Sequence, residues 1–265
     1  MTSFPMVWAH PMTTNFDRAA SFYDDTRSLP EATLATLTDR LAEGLDWAED
    51  VLEIGVGTGR VALPLSERGY AITGIDVSEK MLAVLDSKSS NVRTQVADAT
   101  NLPFANASFD AVLAVDFFHL VSEWRRAVEE AVRVLRPGGR IVLSTFLVLD
   151  DPTTILQQRI FQEAGAQPRR VGIEITDVMA DLECRFGSKT TDLAAIPYVM
   201  LTSLATELDG LRRGTWSRYW RLPEDIRHGV ADRLEAELRD TGADLDKPLD
   251  IKISLTVLMA SQLGY

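Results

Sequence analysis

The chain has 265 residues, 46% of them hydrophobic and 25% charged, with a formal net charge of −12. Those totals fit one large globular domain, or one domain with a sizeable insertion. The acidic excess argues against a nucleic-acid partner, which needs clustered Lys and Arg, but still allows a local basic pocket.

Cys184 stands alone, which rules out an intramolecular disulfide and a cysteine metal cluster. It is expected to be a buried structural thiol. His10, His119 and His228 are the only histidines and argue against a multi-histidine metal site. The start, "MTSFPMVWAHPMTTNF", lacks the basic and continuous apolar segments of a secretory signal, and "IVLSTFLVL" is far too short to span a bilayer. No membrane association is expected, and the cytoplasm is the expected compartment.

In chain order, residues 31–46 place Leu34, Leu37, Leu41 and Leu45 on one helical face. "VLEIG" reads as a buried strand, followed by a helix beginning near Arg60. "YAITGID" is a second strand, and Ser78 suits the cap of a helix carrying Met81, Leu82 and Leu85. "VRTQVAD" and "FDAVLAVD" read as strands three and four. A helix with Val121, Trp124, Val128, Val132 and Leu135 at helical spacing ends at "RPGG", and "RIVLSTF" is strand five. This alternation predicts a parallel sheet covered by helices.

After residue 150 the rhythm changes. Residues 151–172 form an interrupted segment containing the amphipathic piece "ILQQRIFQEAG". A helix over 174–186 turns Ile175, Val178, Leu182 and Phe186 inward and stops at Gly187. "LAAIPYVML" and "LDIKISLTVLMAS" read as the last two strands. Between them lie helices near 203–213 and 223–241, the second carrying Ile226, Val230, Leu234 and Leu238 and ending near Gly242. The division is a core over 1–150 and its remainder over 151–265, with helical cap insertions near 151–172 and 203–245. Such a cap would lie near the strand ends where open α/β sheets bind ligands.

The turn after the first strand decides between two ligands. Gly55, Gly57 and Gly59 form G-x-G-x-G, and Arg60 stands where a dinucleotide site places its third glycine. Glu53, two residues before the first glycine, either holds an ammonium group or serves as a satisfied supporting acid, and it would repel a pyrophosphate. Asp76 closes strand two, where an acid accepts ribose hydroxyls in either kind of site. Asp98 and Ala99 close strand three, where an acid and a backbone amide can read adenine.

Together E-x-G-x-G-x-G, the acid after strand two, "ADATNLPF…SFDAVLA" and "RVLRPGG" resemble the class I S-adenosylmethionine-dependent methyltransferases, most nearly the small-molecule, methyltransferase-11 type. The resemblance spans about residues 16–146. It implies a Rossmann-like, mostly parallel α/β sheet of seven strands in the order 3-2-1-4-5-7-6, with strand 7 antiparallel, helices on both faces and a helical cap. It also implies S-adenosylmethionine as methyl donor, S-adenosylhomocysteine as product and no metal.

Position by position, the resemblance assigns backbone contacts with methionine to Gly55, Val56 and Gly57, and close approach to Gly59. Asp76 would take the ribose, with Val77 beside it, Met81 would pack near the adenine, and Asp98 and Ala99 would bind adenine. Asp116 would present its carbonyl to the cofactor's amine. "FDRAASFYDDTR" resembles an N-terminal lid in which Tyr23 covers the site and Arg27 reaches the cofactor carboxylate.

Methyl transfer requires alignment above all, and a base only if the acceptor must lose a proton. His119, in "DFFHLVSEW", is the candidate base, the alternative being a backbone partner or pocket lining; Tyr23 is a weaker candidate. Trp216, Tyr219 and Trp220 at helical spacing could line an acceptor pocket or pack the cap. Arg212, Arg213, Arg218 and Arg221 could meet an acidic substrate or form a solvated face. The reading is a methyltransferase acting on a small-molecule acceptor, as a monomer or homodimer. Its rivals are a non-catalytic S-adenosylmethionine-binding protein and an NAD-dependent oxidoreductase.

Overall fold

A computed structural model describes residues 15–167 and 173–264. His10 and part of the 151–172 insertion lie outside them. Apolar runs buried on both faces form the sheet centre: β1 (Asp50–Ile54) and β4 (Phe109–Val115). Around them stand β2 (Ala71–Asp76), β3 (Arg93–Val96), β5 (Leu135–Asp150), β6 (Lys189–Thr202) and β7 (Leu249–Ser261). The order is β3-β2-β1-β4-β5-β7-β6, with β7 antiparallel to both neighbours and the other pairs parallel. This is the topology the resemblance implied.

Strand residues alternate between two cores. Val51, Leu113, Val142 and Val257 face α2 (Glu31–Gly44), α3 (Ala62–Glu67) and α4 (Glu79–Lys88). Leu52, Val112, Leu143 and Leu258 face α5 (Trp124–Val134) and α7 (Ile175–Phe186). Ser78 caps α4 by accepting the Met81 N–H at 3.1 Å, and Gly187 ends α7 at φ +64°. Strand order reverses between β1 and β4, which opens a crevice at their carboxyl ends.

β6 runs in the same direction as β5, so Thr202 emerges at that same sheet end. From there α8 (Leu204–Arg213), a 3₁₀ turn (Ser217–Tyr219) and α9 (Glu224–Asp240) rise before β7 begins. They enclose a third core: Leu208, Leu211, Tyr219, Val230 and Leu234, joined by Leu156 and Ile160 of α6 (Thr154–Glu163). The short helix α1 (Tyr23–Arg27) precedes the sheet.

Several expectations are corrected. Cys184 is exposed, because α7 buries Ile175, Val178, Met179 and Leu182, and position 184 falls on the opposite side of that stripe. Ile226 is also exposed, because α9 turns Arg227, Val230, Ala231 and Leu234 inward instead. Leu135 opens β5 rather than closing α5, and Val121 precedes α5. Trp216 and Trp220 flank a 3₁₀ turn, so their spacing belongs to no α-helix. Among the described residues no helix is long and apolar enough to cross a membrane.

Candidate functional site

The crevice is built around the turn after β1. Gly55, Gly57 and Gly59 have φ of +72°, +56° and +84°, which favour glycine. A Cβ on Gly55 would lie 2.6 Å from the Phe117 ring, and one on Gly59 would lie 2.3 Å from Leu85 Cδ1. The turn is pinned to β2: the Gly55 and Val56 N–H groups both donate to the Ile75 carbonyl at 2.9 Å. Gly57 N–H donates to Asp76 Oδ2 at 3.1 Å and Ser78 N–H to Oδ1 at 2.8 Å. Burial raises the Asp76 pKa, and these two donors oppose that rise.

A cleft of about 600 Å³ opens over these strand ends. Of the expected site residues, Tyr23, Gly55, Gly57, Asp76, Val77, Met81, Ala99 and Asp116 line it, together with Phe16, Phe117 and Leu120. A recess of about 290 Å³ adjoins it, lined by Glu53, Val56 and Arg60 and shared with Tyr23, Gly55 and Gly57. Glu53 is 3% exposed, and its Oε2 has no hydrogen-bond partner. Burial pushes this carboxyl up to about 8; Arg60 pulls it down and Asp76 adds to the rise. A buried, unmatched carboxyl oxygen is costly unless a donor reaches it, and a cationic donor answers it best.

Arg60 is the residue that sequence reasoning treated only as a missing glycine. Its Nη2 binds Asp116 Oδ2 at 2.8 Å, its Nη1 donates to the Arg27 carbonyl at 3.2 Å, and its guanidinium lies over the Phe146 ring. Burial works against its charge, but Asp116, Tyr23 and Glu53 together outweigh that effect and raise its pKa. The signal was present: a charged residue inside "VGTGRVALPL", an otherwise apolar and glycine-rich run. Asp116 adopts φ +52°, a conformation costing on the order of 1 kcal/mol for an L-residue. It is held there by its N–H donating to the Ser144 carbonyl at 2.9 Å, by Phe146 N–H donating to Oδ1 at 3.1 Å, and by Arg60. Tyr198 packs edge-on to Phe146; burial, then the Asp116 charge, push its hydroxyl up to about 12.

The segment before β1 is fastened across the glycine turn. Ser78 Oγ donates to Asp17 Oδ1 and Thr58 Oγ1 to Asp24 Oδ1, each at 2.6 Å, and Lys88 pairs with Asp24. This places Phe16 and Tyr23 over the cleft. Four expected residues stand apart from the lining. Asp98 is exposed, and its Oδ1 accepts from the N–H and Oγ1 of Thr100. Arg27 lies between the Tyr23 and Trp216 rings and donates to the Thr215 carbonyl of the cap at 2.8 Å. His119 is exposed, while its neighbours Phe117 and Leu120 line the cleft. Gly59 lies behind the turn against Leu85 and Leu63.

A family model for a methyltransferase domain matches residues 52–143. The chain is 34% identical over 225 residues to the 27-O-demethylrifamycin SV methyltransferase of Amycolatopsis mediterranei, covering 81% of this chain and 78% of that protein. It is 36% identical over 140 residues to a demethylmenaquinone methyltransferase of Tropheryma whipplei, covering 49% of this chain and 57% of that one. Among solved structures, the YcgJ protein of Bacillus subtilis matches with a TM-score of 0.59 at 23% identity, covering 89% of this chain and 100% of that one, a likeness of fold.

Proposed function

Because this chain belongs to the class I S-adenosylmethionine-dependent methyltransferases, with S-adenosylmethionine as methyl donor and S-adenosylhomocysteine as product, we propose that it methylates a small-molecule acceptor admitted between the N-terminal segment and the helical cap. The observation that carries this reading is the unmatched Glu53 Oε2, buried beside the glycine turn and Arg60. An amino-acid ammonium answers it as a donor, whereas a pyrophosphate presents only acceptors to this oxygen. The relatives act on demethylrifamycin SV and demethylmenaquinone, which supports a small-molecule acceptor here.

In this reading Glu53 holds the ammonium, Asp76 accepts both ribose hydroxyls, and Met81 and Ala99 border the adenine, with Asp98 at the outer edge. Gly55, Val56 and Gly57 give backbone contacts to the methionine end. Asp116 offers its carbonyl from its constrained turn. The bound donor supplies a methyl group already activated on a sulfonium. Phe16, Tyr23 and Phe117 shield the cleft from water, and alignment of acceptor and donor can be worth roughly 7–11 kcal/mol in favourable cases. We place one complete site in each chain, whether it acts as a monomer or a homodimer. We place the protein in the cytoplasm, a reducing compartment that suits the exposed thiol of Cys184.

Calorimetric titration tests the reading. S-adenosylhomocysteine is expected to bind and NAD is not; the reverse would overturn it. Asp76→Ala should weaken S-adenosylhomocysteine by about 2–3 kcal/mol, roughly 30- to 150-fold, because bound hydroxyls lose a charged acceptor. An unchanged affinity would remove the ribose assignment. His119→Ala should leave that affinity within about twofold, since the side chain lies outside the cleft lining. A matched loss of affinity would bring His119 into the cofactor pocket.

A further inference from the structure

Most cap arginines are answered by acids. Arg212 meets Asp232 and Glu235, Arg213 meets Asp209, Arg218 meets Glu207, Arg233 meets Glu163 and Arg239 meets Glu235. These pairs account for three of the four arginines that the sequence offered to an acidic substrate; Arg221 is exposed. A different set lacks salt bridges. Arg18, Arg27 and Arg227 form none among the described residues, Glu224 acting on Arg227 only from beyond contact distance; their contacts are carbonyls, a hydroxyl and aromatic rings. Residues 1–14 and 168–172 contain no Asp or Glu to supply one. The chain has 39 acidic residues against 27 Lys and Arg, so the gap does not reflect a shortage of acids.

The three guanidinium groups reach the last turn of α8 and the loop that follows it. Arg27 Nη2 donates to the Thr215 carbonyl at 2.8 Å, and Arg227 Nη1 to the Arg212 carbonyl at 2.8 Å. A Cβ built on Gly214, whose φ is +64°, would lie 2.5 Å from Arg227 Nη1 and 3.1 Å from Arg18 Nη2. Arg227 is 6% exposed, and its Nε has no acceptor. Burial and then the Arg18 charge lower the pKa of Arg227, partly opposed by Glu224; burial also lowers that of Arg27, where Tyr23 opposes the fall and the Arg60 and Arg218 charges add to it. Like charges gathered in a partly dry seam are unfavourable unless an anion joins them.

One aromatic layer separates this seam from the cleft. Arg18 lies over the Trp220 ring, Trp220 packs on Phe16, Arg27 lies over the Tyr23 ring, and both Phe16 and Tyr23 line the cleft. We propose that the seam of Arg18, Arg27 and Arg227 is an anion subsite for the methyl acceptor, taking a carboxylate or phosphate group while the rest of the molecule reaches the cleft past Phe16 and Tyr23. The proposal rests on the methyltransferase reading and specifies the acceptor class: a small molecule with an anionic group. Guanidinium forks suit the planar oxygens of such a group.

The test titrates benzoate, benzamide and inorganic phosphate into the protein, with and without S-adenosylhomocysteine. Saturable benzoate binding is expected, with benzamide at least roughly tenfold weaker. Arg18→Gln should lower benzoate affinity roughly tenfold, Arg18→Lys should restore part of it, and Arg221→Gln should change nothing. Because Arg18 is exposed, its variants should fold, and their S-adenosylhomocysteine affinity should match the parent protein. Equal binding of benzoate and benzamide, absence of saturable benzoate binding, or indifference to Arg18→Gln would each overturn the proposal. Phosphate binding that benzoate fails to displace would identify a free-anion site and overturn the acceptor assignment. Failure of S-adenosylhomocysteine to bind the parent protein would instead count against the cofactor assignment, independently of the anion titrations.

Discussion

Replacing Arg60 with methionine is expected to destabilise the folded protein by roughly 3–5 kcal/mol, the usual penalty for removing one partner of a buried ion pair. Both side chains of the Arg60–Asp116 pair are about 15% exposed (15% and 14%), so solvent compensates little of the loss. Asp116 would keep only the Phe146 N–H as side-chain donor while remaining at φ +52°. Arg60 also ties the Arg27 carbonyl to the glycine turn, so the N-terminal segment would lose an anchor. Urea unfolding measures the effect as a lower midpoint with an unchanged slope. Adding Asp116→Asn to Arg60→Met should recover part of the loss, because the stranded charge is then gone. A loss below about 1 kcal/mol would show that solvent reaches the pair freely.

Glu53→Gln should move stability and affinity in opposite directions. The wild-type carboxyl is pushed from its ordinary 4.5 up to about 8 by burial. Below pH 4.5 it is protonated in both folded and unfolded chains and has no effect on stability. Between pH 4.5 and 8 the unfolded chain ionises while the folded chain does not, so stability falls as pH rises, by roughly 5 kcal/mol in total. Without ligand, the glutamine variant should therefore be the more stable protein at pH 8 and match the parent near pH 4.

Ligand binding reverses the advantage. An ammonium at Glu53 favours the carboxylate, so S-adenosylhomocysteine should release protons when it binds at pH 7. Calorimetry in two buffers of different ionisation enthalpy reads that release. The glutamine variant should bind roughly 10- to 100-fold more weakly and release none. Equal affinities, or no proton release by the parent, would remove Glu53 from the ammonium site. The expected trade is stability of the free protein for affinity of the complex.

The candidate site was only partly legible in the residues. Glu53, the glycines and Asp76 stand out because their positions belong to one strand–turn–helix unit, where spacing alone sets geometry. Asp98 and His119 carried equally local patterns, yet the structure turns the first onto Thr100 and leaves the second exposed. In each case the direction of the side chain depends on the neighbouring loop, which spacing does not encode. Arg60 looks like an obstacle to a glycine motif; its partner Asp116 lies 56 residues away, just beyond a strand that meets β1 only after the sheet assembles.

The late region shows the same division. Helical periodicity located α8 and α9 closely, but the rotation of α9 went the other way: Ile226 faces out and Arg227 faces in, because Arg227 reaches the carbonyls that end α8. A guanidinium satisfied by a neighbouring helix end is invisible to a rule that sorts residues by hydrophobicity. Cys184 departs from expectation for a related reason: thiols are usually buried, but this one falls outside the apolar stripe of α7.

The sequence by itself determined the strand and helix alternation, the glycine turn, the acids at the strand ends and, through their resemblance, the order of the sheet. These are local or periodic features, governed by backbone sterics and the burial of apolar faces. Only the tertiary structure decided which charges meet: Arg60 with Asp116, Arg27 with the cap, and Arg18 with Arg227 at Gly214. The physical reason is that electrostatic and hydrogen-bond partners are chosen by distance in space, across sequence separations such as the 188 residues between Arg27 and Thr215.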